Sequence, residues 1–229
     1  MRRSALCFLS LAALAAPLSA QAFEGVVMIK GDSTDANALT NQKWYMKSTQ
    51  MAITGTVPST SPMGGGGELK ILIDWSTRKM TMLVPISPEM AGRMGGMGMK
   101  GMKRVIDIPE SKAGATTGVK PLGTSEMIAG HKCDDYEETG TKTPHQMCLT
   151  TELGHFTYPQ TGGRGRGGGA PSWVSAIGDN GFPLKVWTPG GKVDFEATEV
   201  KPGHVPASIW VIPDGYMEMP GMGGSGGGF

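Results

Sequence analysis

The chain has 229 residues, of which 39% are hydrophobic and 18% are charged, with 21 basic and 20 acidic side chains. This balance offers no basic surface for a nucleic acid, so we expect no nucleic-acid partner. The length is enough for one β-domain with a core of its own, while 36 glycines and 17 methionines are the unusual features of the composition.

The first 22 residues have the pattern of a signal peptide. Arg2 and Arg3 precede an apolar run that is too short to cross a bilayer, and residues 20–22 read Ala-Gln-Ala, a cleavage pattern. We expect a mature chain that starts at Phe23, with cleavage after Ala20 as the alternative. The protein is then exported, to the periplasm of a Gram-negative bacterium, and has no transmembrane span in its mature part.

Short β-rich runs follow, separated by Gly, Asn, Asp, Ser and Pro. They cover residues 23–30, 43–53, 69–75 and 79–84. In the run 69–75 the odd positions are apolar, whereas Lys70 and Asp74 lie on the other face, which is typical of a half-buried strand. Residues 74–79 are therefore predicted to form a hairpin turn.

Residues 87–103 are the best candidate for a helix that covers a sheet. They open with Ser-Pro-Glu, which suits an N-cap, a first-turn proline and an acidic first turn. Met90, Met94 and Met97 would lie on one helical face. Five glycines in the same segment weaken the helix, each by about 1 kcal/mol relative to alanine. We predict a marginal, mobile helix.

Residues 123–149 hold both cysteines that remain after export. Two runs, 127–137 and 145–149, flank a turn-rich insert and predict a hairpin in which Cys133 faces Cys148. A cross-strand disulfide is expected there because an exported protein folds in an oxidising compartment. No C-x-x-C motif or zinc-ligand spacing suggests a reactive or metal-binding role.

The remaining β-rich runs are residues 155–158, 173–177, 184–188, 192–200 and 209–212, with alternating Phe182, Leu184 and Val186 predicted to face a core. Without helical repeats between them, these runs predict a mainly β fold: one curved antiparallel sheet or half-open β-barrel whose concave face is covered by short helical segments. Residues 23–220 would be a single domain that contains a flexible glycine-rich insert, 162–170. Residues 221–229 would be a disordered glycine-rich tail.

Several motifs, taken in order, resemble a known family. They are Phe-Glu-Gly at 23–25, Ile-Asp at 73–74, Ile-Ala-Gly-His-Lys-Cys-Asp-Asp-Tyr at 128–136, Gly-Phe-Pro-Leu-Lys-Val at 181–186 and Pro-Asp-Gly-Tyr at 213–216. The chain resembles the bacterial domain-of-unknown-function 4412 family over nearly all of its mature length. That family is similar to the lipoprotein carriers LolA and LolB, which implies a half-open barrel that holds acyl chains, and it supplies no catalytic residues.

The remaining polar groups and motifs indicate structural roles rather than a reactive site. Asp134, Asp135, Glu137 and Glu138 are predicted to form a solvated hairpin edge, and the four histidines to be surface or satisfied side chains. The Gly-x-Ser-x-Gly match in the tail lacks the strand and helix of a nucleophile elbow. We therefore expect no enzyme activity and no cofactor.

The methionines support two hypotheses about function, and a third possibility does not involve them. In the first, Met90, Met94 and Met97 form a pliable lid over an apolar or amphipathic ligand, a lipid or a lipoprotein acyl chain, in a concave face that includes Trp75 and Trp173. In the alternative, thioethers bind Cu(I); the candidate ligands are Met97, Met99, Met102, Met217, Met219 and Met222. The third possibility is a structural or interaction protein of the cell envelope, with a protein partner.

Overall fold

The computed structural model describes residues 23–31, 39–57, 67–93, 99–108, 118–154, 156, 172–178 and 180–219. The predicted signal peptide, the glycine-rich insert and the tail lie outside these residues, and so do Met94, Met97 and Met222. The predicted strand 155–158 is described only at Phe156, which is buried.

The described residues form a mainly β fold. The elements are β1 (Gly25–Gly31), β2 (Thr40–Lys47), β3 (Gln50–Thr56), β4 (Glu68–Asp74), β5 (Lys79–Pro85), α1 (Pro88–Arg93), β6 (Gly101–Asp107), β7 (Val119–Ile128), β8 (His131–Glu138), β9 (Gln146–Thr150), α2 (Ser172–Ile177), β10 (Phe182–Thr188), β11 (Lys192–Pro202) and β12 (Tyr216–Glu218). None of the described helices is long and apolar enough to span a membrane.

All twelve strands belong to one open, curved sheet, ordered β12-β6-β5-β4-β3-β2-β1-β11-β10-β9-β8-β7. Neighbouring strands are antiparallel except β6 and β12, which are parallel. The predicted mainly β, curved antiparallel sheet is confirmed.

Period-two alternation explains which faces are buried. On β4, Leu69, Ile71 and Ile73 are buried, while Lys70 and Asp74 are only partly covered. Burying an aliphatic side chain contributes about 1.5 to 3 kcal/mol, so this alternation fixes the register of the strand. The predicted core positions of β10 are likewise fully buried.

Two predicted runs are in fact hairpins. The run 43–53 is divided by a turn at Ser48, which has a positive φ of 45°. The run 127–137 is divided between β7 and β8 by Ala129 and Gly130, with φ of 50° and 85°. Two successive positive φ values produce the tight turn that antiparallel strands favour. Ala-Gly is an uncommon sequence for it, and the prediction therefore missed the turn.

Helix α1 begins as predicted but is much shorter than the expected 87–103. The Ser87 hydroxyl accepts a hydrogen bond from Met90 N at 3.2 Å, as an N-cap does. The helix ends at Arg93, and Gly101–Asp107 is strand β6 rather than helix. Pairing with β5 and β12 stabilises the glycine-rich stretch as a strand, which local propensity alone did not reveal.

Residues 173–177, predicted as a strand, form most of helix α2. Trp173, Val174, Ala176 and Ile177 are all buried. A short apolar run cannot be assigned to helix or strand by periodicity alone, which accounts for the error. The helix packs on the sheet through an aromatic cluster and provides the predicted cover.

The disulfide between Cys133 and Cys148 is present, with a Cα–Cα distance of 5.3 Å. Strand pairing places Asp135 opposite Cys148, so the cysteines are diagonal neighbours rather than directly facing residues. Both are buried. The bond links β8 to β9 within the core, which supports a structural role.

The segment after β11, residues 203–219, crosses the sheet and is called the strap below. It spans β1 to β5, which lie between β11 and β6, and ends as β12. Val205 N donates to Glu24 Oε1 at 3.0 Å, and Lys70 Nζ donates to Ile209 O at 3.2 Å. The predicted strand 209–212 is wrong: Ala207–Trp210 is a 3-10 helix followed by extended chain.

Candidate functional site

A cavity of about 280 Å³ lies where helix α2 meets β2, β11 and the end of the β8–β9 hairpin. Its apolar wall consists of Trp44, Trp173, Val174 and Phe195, and its polar residues are Gln42, His145 and Asp194. Apolar walls with a few polar groups are the usual composition of a small-molecule site. We therefore take this cavity as the candidate functional site.

The apolar wall belongs to a cluster of rings in mutual contact. The Phe195 ring centroid lies 5.6 Å from that of Trp44 and 5.5 Å from that of Trp173. Phe156 stacks on both tryptophans, at 5.5 Å and 6.0 Å. Rings at such separations leave no room for a ligand between them. A ligand would therefore lie against the cluster, which provides a rigid apolar surface.

A β-bulge positions the carboxylate of the site. On β11, Phe195 pairs with Val186 and Val193 pairs with Trp187, so the intervening Asp194 has no partner on β10. An extra residue of this kind redirects a side chain that regular alternation would place elsewhere. Asp194 lines the cavity beside buried Phe195.

His145 lies between two carboxylates from different strands. Its Nδ1 is 2.7 Å from Glu138 Oε2, and its Nε2 is 3.6 Å from Asp194 Oδ2. Its backbone N also donates to Glu138 Oε2, at 3.2 Å. The side chain of Glu138 is 0% exposed, so these hydrogen bonds offset the cost of burying its carboxyl group.

Two carboxylate oxygens of this group have unused hydrogen-bonding capacity. Glu138 Oε1 and Asp194 Oδ2 are buried and accept no hydrogen bond from any described residue. The distance of 3.6 Å from His145 Nε2 to Asp194 Oδ2 is too long for a hydrogen bond. Because the Asp194 side chain lines the cavity and is 26% exposed, the polar side of the cavity can attract a positive charge.

Gln42 completes the polar side and is already engaged. Its amide Nε2 donates to Leu39 O at 3.1 Å, and its Oε1 accepts a bond from Trp44 Nε1 at 3.4 Å. These bonds fix the orientation of both side chains. Gln42 therefore holds the tryptophan against the cavity.

The predicted ligand-binding residues do not all meet here. Trp173 lines the cavity. Trp75 lies at the turn between β4 and β5, partly buried, with its backbone N bonded to Thr49 O at 2.9 Å. Met90 is half-buried on α1, away from the residues that line the cavity. The proposed lid thus remains a prediction.

The structure brings part of the predicted methionine set together at the β12 edge of the sheet, away from the cavity. Met102 on β6 pairs with Met217 on β12, and both share a face with Val84, the β5 partner of Met102. Met219 N donates to Lys103 O at 2.8 Å, which extends this pairing, and alternation places Met219 on the Met217 face. Met99 is half-buried just before β6. Within the described ranges, no group of His, Cys, Asp and Glu side chains is arranged to hold a metal.

The interpretation of the acidic cluster as a solvated edge is wrong for two of its members. Asp135 and Glu138 are buried, because β7 continues the sheet beyond β8. Thr124 Oγ1 donates to Asp135 Oδ2 at 2.7 Å. Sequence reasoning therefore missed Glu138, and with it His145 and Asp194, as members of a site. The hairpin register was a usable signal for Glu138 and His145, whereas the bulge at Asp194 left none.

Comparisons with known proteins give a family and a distant structural likeness. No curated protein matches the chain. Two solved structures of PNGF-II, in different space groups, are 13% identical, with TM-scores of 0.47 and 0.45; each match covers 86% of this chain and 31% or 30% of the PNGF-II chain. The chain thus spans under one third of PNGF-II. Residues 23–216 match the family model described as domain of unknown function, DUF4412, and the chain belongs to that family.

Proposed function

We propose that this protein is an exported binding protein that holds an apolar or amphipathic ligand in the concave face of its sheet. The cavity under α2 carries the proposal, because it combines a wall of tryptophan and phenylalanine rings with a small polar side. Ring surfaces bury a large apolar area, while the few polar groups orient the ligand.

Export is supported by two independent features. The first 22 residues have the composition of a signal peptide. The bond between Cys133 and Cys148 belongs to an oxidising compartment, since cytosolic thiols are kept reduced. A soluble carrier or sensor in the cell envelope fits both features.

The size of the cavity limits what it can enclose. At about 280 Å³ it lies at the lower end of the usual range of small-molecule pockets, about 300 to 1,000 Å³. That is enough for a small amphiphile or for one end of a lipid. A longer acyl chain would have to extend beyond the cavity.

A volume-filling variant tests the proposal. Val174→Phe should occupy part of the cavity and weaken the binding of an uncharged fluorescent alkyl probe by about tenfold, because an added ring removes ligand space. The control is Val105→Phe on β6, where the side chain is 47% exposed and lies away from the cavity. Native mass spectrometry of detergent-free protein would show any ligand that copurifies. Equal affinity in the two variants, or no binding by the wild type, would rule the cavity out.

A second candidate function is Cu(I) binding at the edge of the sheet formed by β6 and β12. The pairing of Met102 with Met217, and the alternation that puts Met219 on the same face, are the observations that favour it. Thioethers are suitable ligands for Cu(I). An anaerobic competition titration tests this candidate and is described below.

A further inference from the structure

The cavity has an electrostatic preference that its apolar wall does not determine. Asp194 lines it, and Asp194 Oδ2 is buried without a hydrogen bond from any described residue. Glu138 Oε1 is likewise buried and accepts no hydrogen bond from any described residue. A buried carboxylate oxygen without a donor is costly, by about 1 to 3 kcal/mol or more for a charged group. The Asp194 side chain is still 26% exposed, so a cationic head in the cavity can reach the carboxylate and stabilise its charge.

From this arrangement we infer that the cavity selects amphiphiles with a compact amine or ammonium head, with the exposed part of the Asp194 carboxylate as the acceptor and the aromatic wall as the apolar surface. The inference rests on the proposed function, since it names the class of ligand that the same cavity holds. A carboxylate or phosphate head in the same position would face Asp194 with like charge. Such a ligand is disfavoured.

The charges around Asp194 leave room for this additional cation. His145 Nε2 is 3.6 Å from Oδ2, too far for a hydrogen bond, and its Nδ1 is engaged by Glu138. Lys192 Nζ lies 4.0 Å from Asp194 Oδ1, but its side chain is 59% exposed, so solvent screens that attraction. Asp194 therefore presents a carboxylate to the cavity that the solvent-screened Lys192 neutralises only weakly, and an ammonium head can pair with it.

The aromatic wall adds to the same preference. Trp44, Trp173 and Phe195 all line the cavity. A cation close to an aromatic ring is attracted by the ring quadrupole, most strongly by tryptophan. A hydroxyl head can donate to Asp194 as well, but it lacks this second attraction and the ion pair. The ammonium should therefore be preferred over an alcohol of the same size.

Calorimetric titration of the mature wild-type chain with hexylammonium, hexanol and hexanoate tests the inference, because the three probes share one alkyl chain. Hexylammonium should bind about tenfold more tightly than hexanol, and hexanoate least tightly. Asp194→Asn keeps the side-chain shape and should abolish the ammonium preference, so that hexylammonium and hexanol bind with similar affinity. Glu196→Gln, on the same strand but outside the cavity lining, should change neither affinity.

Two results would overturn the inference: equal binding of hexylammonium and hexanol by the wild type, or an unchanged ammonium preference in Asp194→Asn. Either would leave the proposed function intact, whereas no binding of any probe would refute both. Vesicles of phosphatidylethanolamine, compared with vesicles of phosphatidylglycerol, separate the two sources of the amine. Selective binding to the first identifies a lipid headgroup, and binding of hexylammonium alone identifies a free amine; both support the inference.

Discussion

Glu138 Oε2 and His145 Nδ1 lie 2.7 Å apart and close the β8–β9 hairpin from the inside, beneath the turn that joins the two strands. Glu138 N also donates to His145 O at 2.8 Å, so main chain and side chain link the same two residues. The pair orders the hairpin end that forms one side of the cavity. Its removal should therefore affect the stability of the fold as well as the binding site.

His145→Ala should lower the free energy of unfolding by about 1 to 3 kcal/mol, because the buried carboxylate of Glu138 loses the imidazole and keeps only the backbone donor of residue 145. The double variant with Glu138→Gln should be less destabilised than this single variant, since the unpaired charge is then gone. Urea unfolding at neutral pH measures both quantities.

His131 offers a matched control. Its Nδ1 lies 2.6 Å from Glu152 Oε2, but the side chain of Glu152 is 53% exposed. Exposed pairs contribute about 0 to 1 kcal/mol, so His131→Ala should cost little. If both histidine variants lose the same small amount, the Glu138–His145 pair does not stabilise the fold as argued.

The disulfide should stabilise the protein through the loop of 15 residues that it closes. In the loop-entropy model this contributes about 3 kcal/mol, and Cys133→Ala with Cys148→Ala should lose that amount. Thiol labelling of the denatured mature chain should find no free cysteine. Two labelled thiols in the wild type would show that Cys133 and Cys148 are not bonded.

The sheet was largely predictable because its strands alternate. The run 69–75 and the residues Phe182, Leu184 and Val186 show period two directly in the sequence, and the structure buries the expected face. Where the alternation was weak, the predictions were wrong. Residues 101–107 contain glycine and charge and became a strand only through their neighbours β5 and β12, and residues 173–177 were too short and too uniformly apolar to distinguish helix from strand.

The candidate site was only partly predictable. Trp173 was singled out as an apolar residue for the concave face, and it does line the cavity. Glu138, His145 and Asp194 come together through a hairpin register and a bulge. A bulge shifts which side chain faces inward, and no local sequence pattern marked this one. Non-local pairing therefore determines the polar half of the site.

Leu184 and Lys185 test the alternation on β10. Leu184→Ala should cost about 2 to 5 kcal/mol, because the side chain is 0% exposed and leaves a cavity. The sequence predicts little effect at Lys185, but Lys185 Nζ lies 3.2 Å from Glu126 Oε2 and 4.9 Å from the Trp187 ring centroid. We therefore expect about 1 kcal/mol for Lys185→Ala in thermal or urea unfolding. Similar small losses at both positions would contradict the burial argument.

Acid should weaken the start of the strap. The hydrogen bond from Val205 N, with His204 nearby at 3.1 Å, lowers the pKa of Glu24 below its ordinary 4.5. A lowered carboxyl pKa stabilises the fold above the unfolded-state pKa, and this contribution is lost as pH falls through the folded-state value. Unfolding free energy, measured from neutral pH to below 4.5, should fall less steeply in Glu24→Gln than in the wild type. Glu199→Gln, whose partner is the exposed Lys201, is the control, and identical slopes for Glu24→Gln and wild type would refute the link.

The methionines of β6 and β12 separate the two candidate functions. Exchange of Met102, Met217 and Met219 for leucine nearly preserves volume and apolar character but removes the sulfur. Binding of an uncharged fluorescent alkyl probe should therefore change by less than about threefold. Cu(I) binding that depends on these thioethers should disappear. Met127→Leu, a 68% exposed methionine on β7 at the other edge of the sheet, is the matched control.

An anaerobic Cu(I) competition titration on the same variants gives the second measurement. We expect probe binding to persist in the triple variant, because the cavity under α2 lies among β2, β11 and the end of the β8–β9 hairpin rather than beside β12. Tight Cu(I) binding by the wild type, lost in the triple variant and retained in Met127→Leu, would establish the metal site on the paired strands. If the wild type then bound no uncharged alkyl probe, Cu(I) binding would replace ligand binding as the function of this fold. Since the two sites lie on different strands of one sheet, a positive result in both assays would assign ligand binding to the cavity under α2 and Cu(I) binding to β6 and β12.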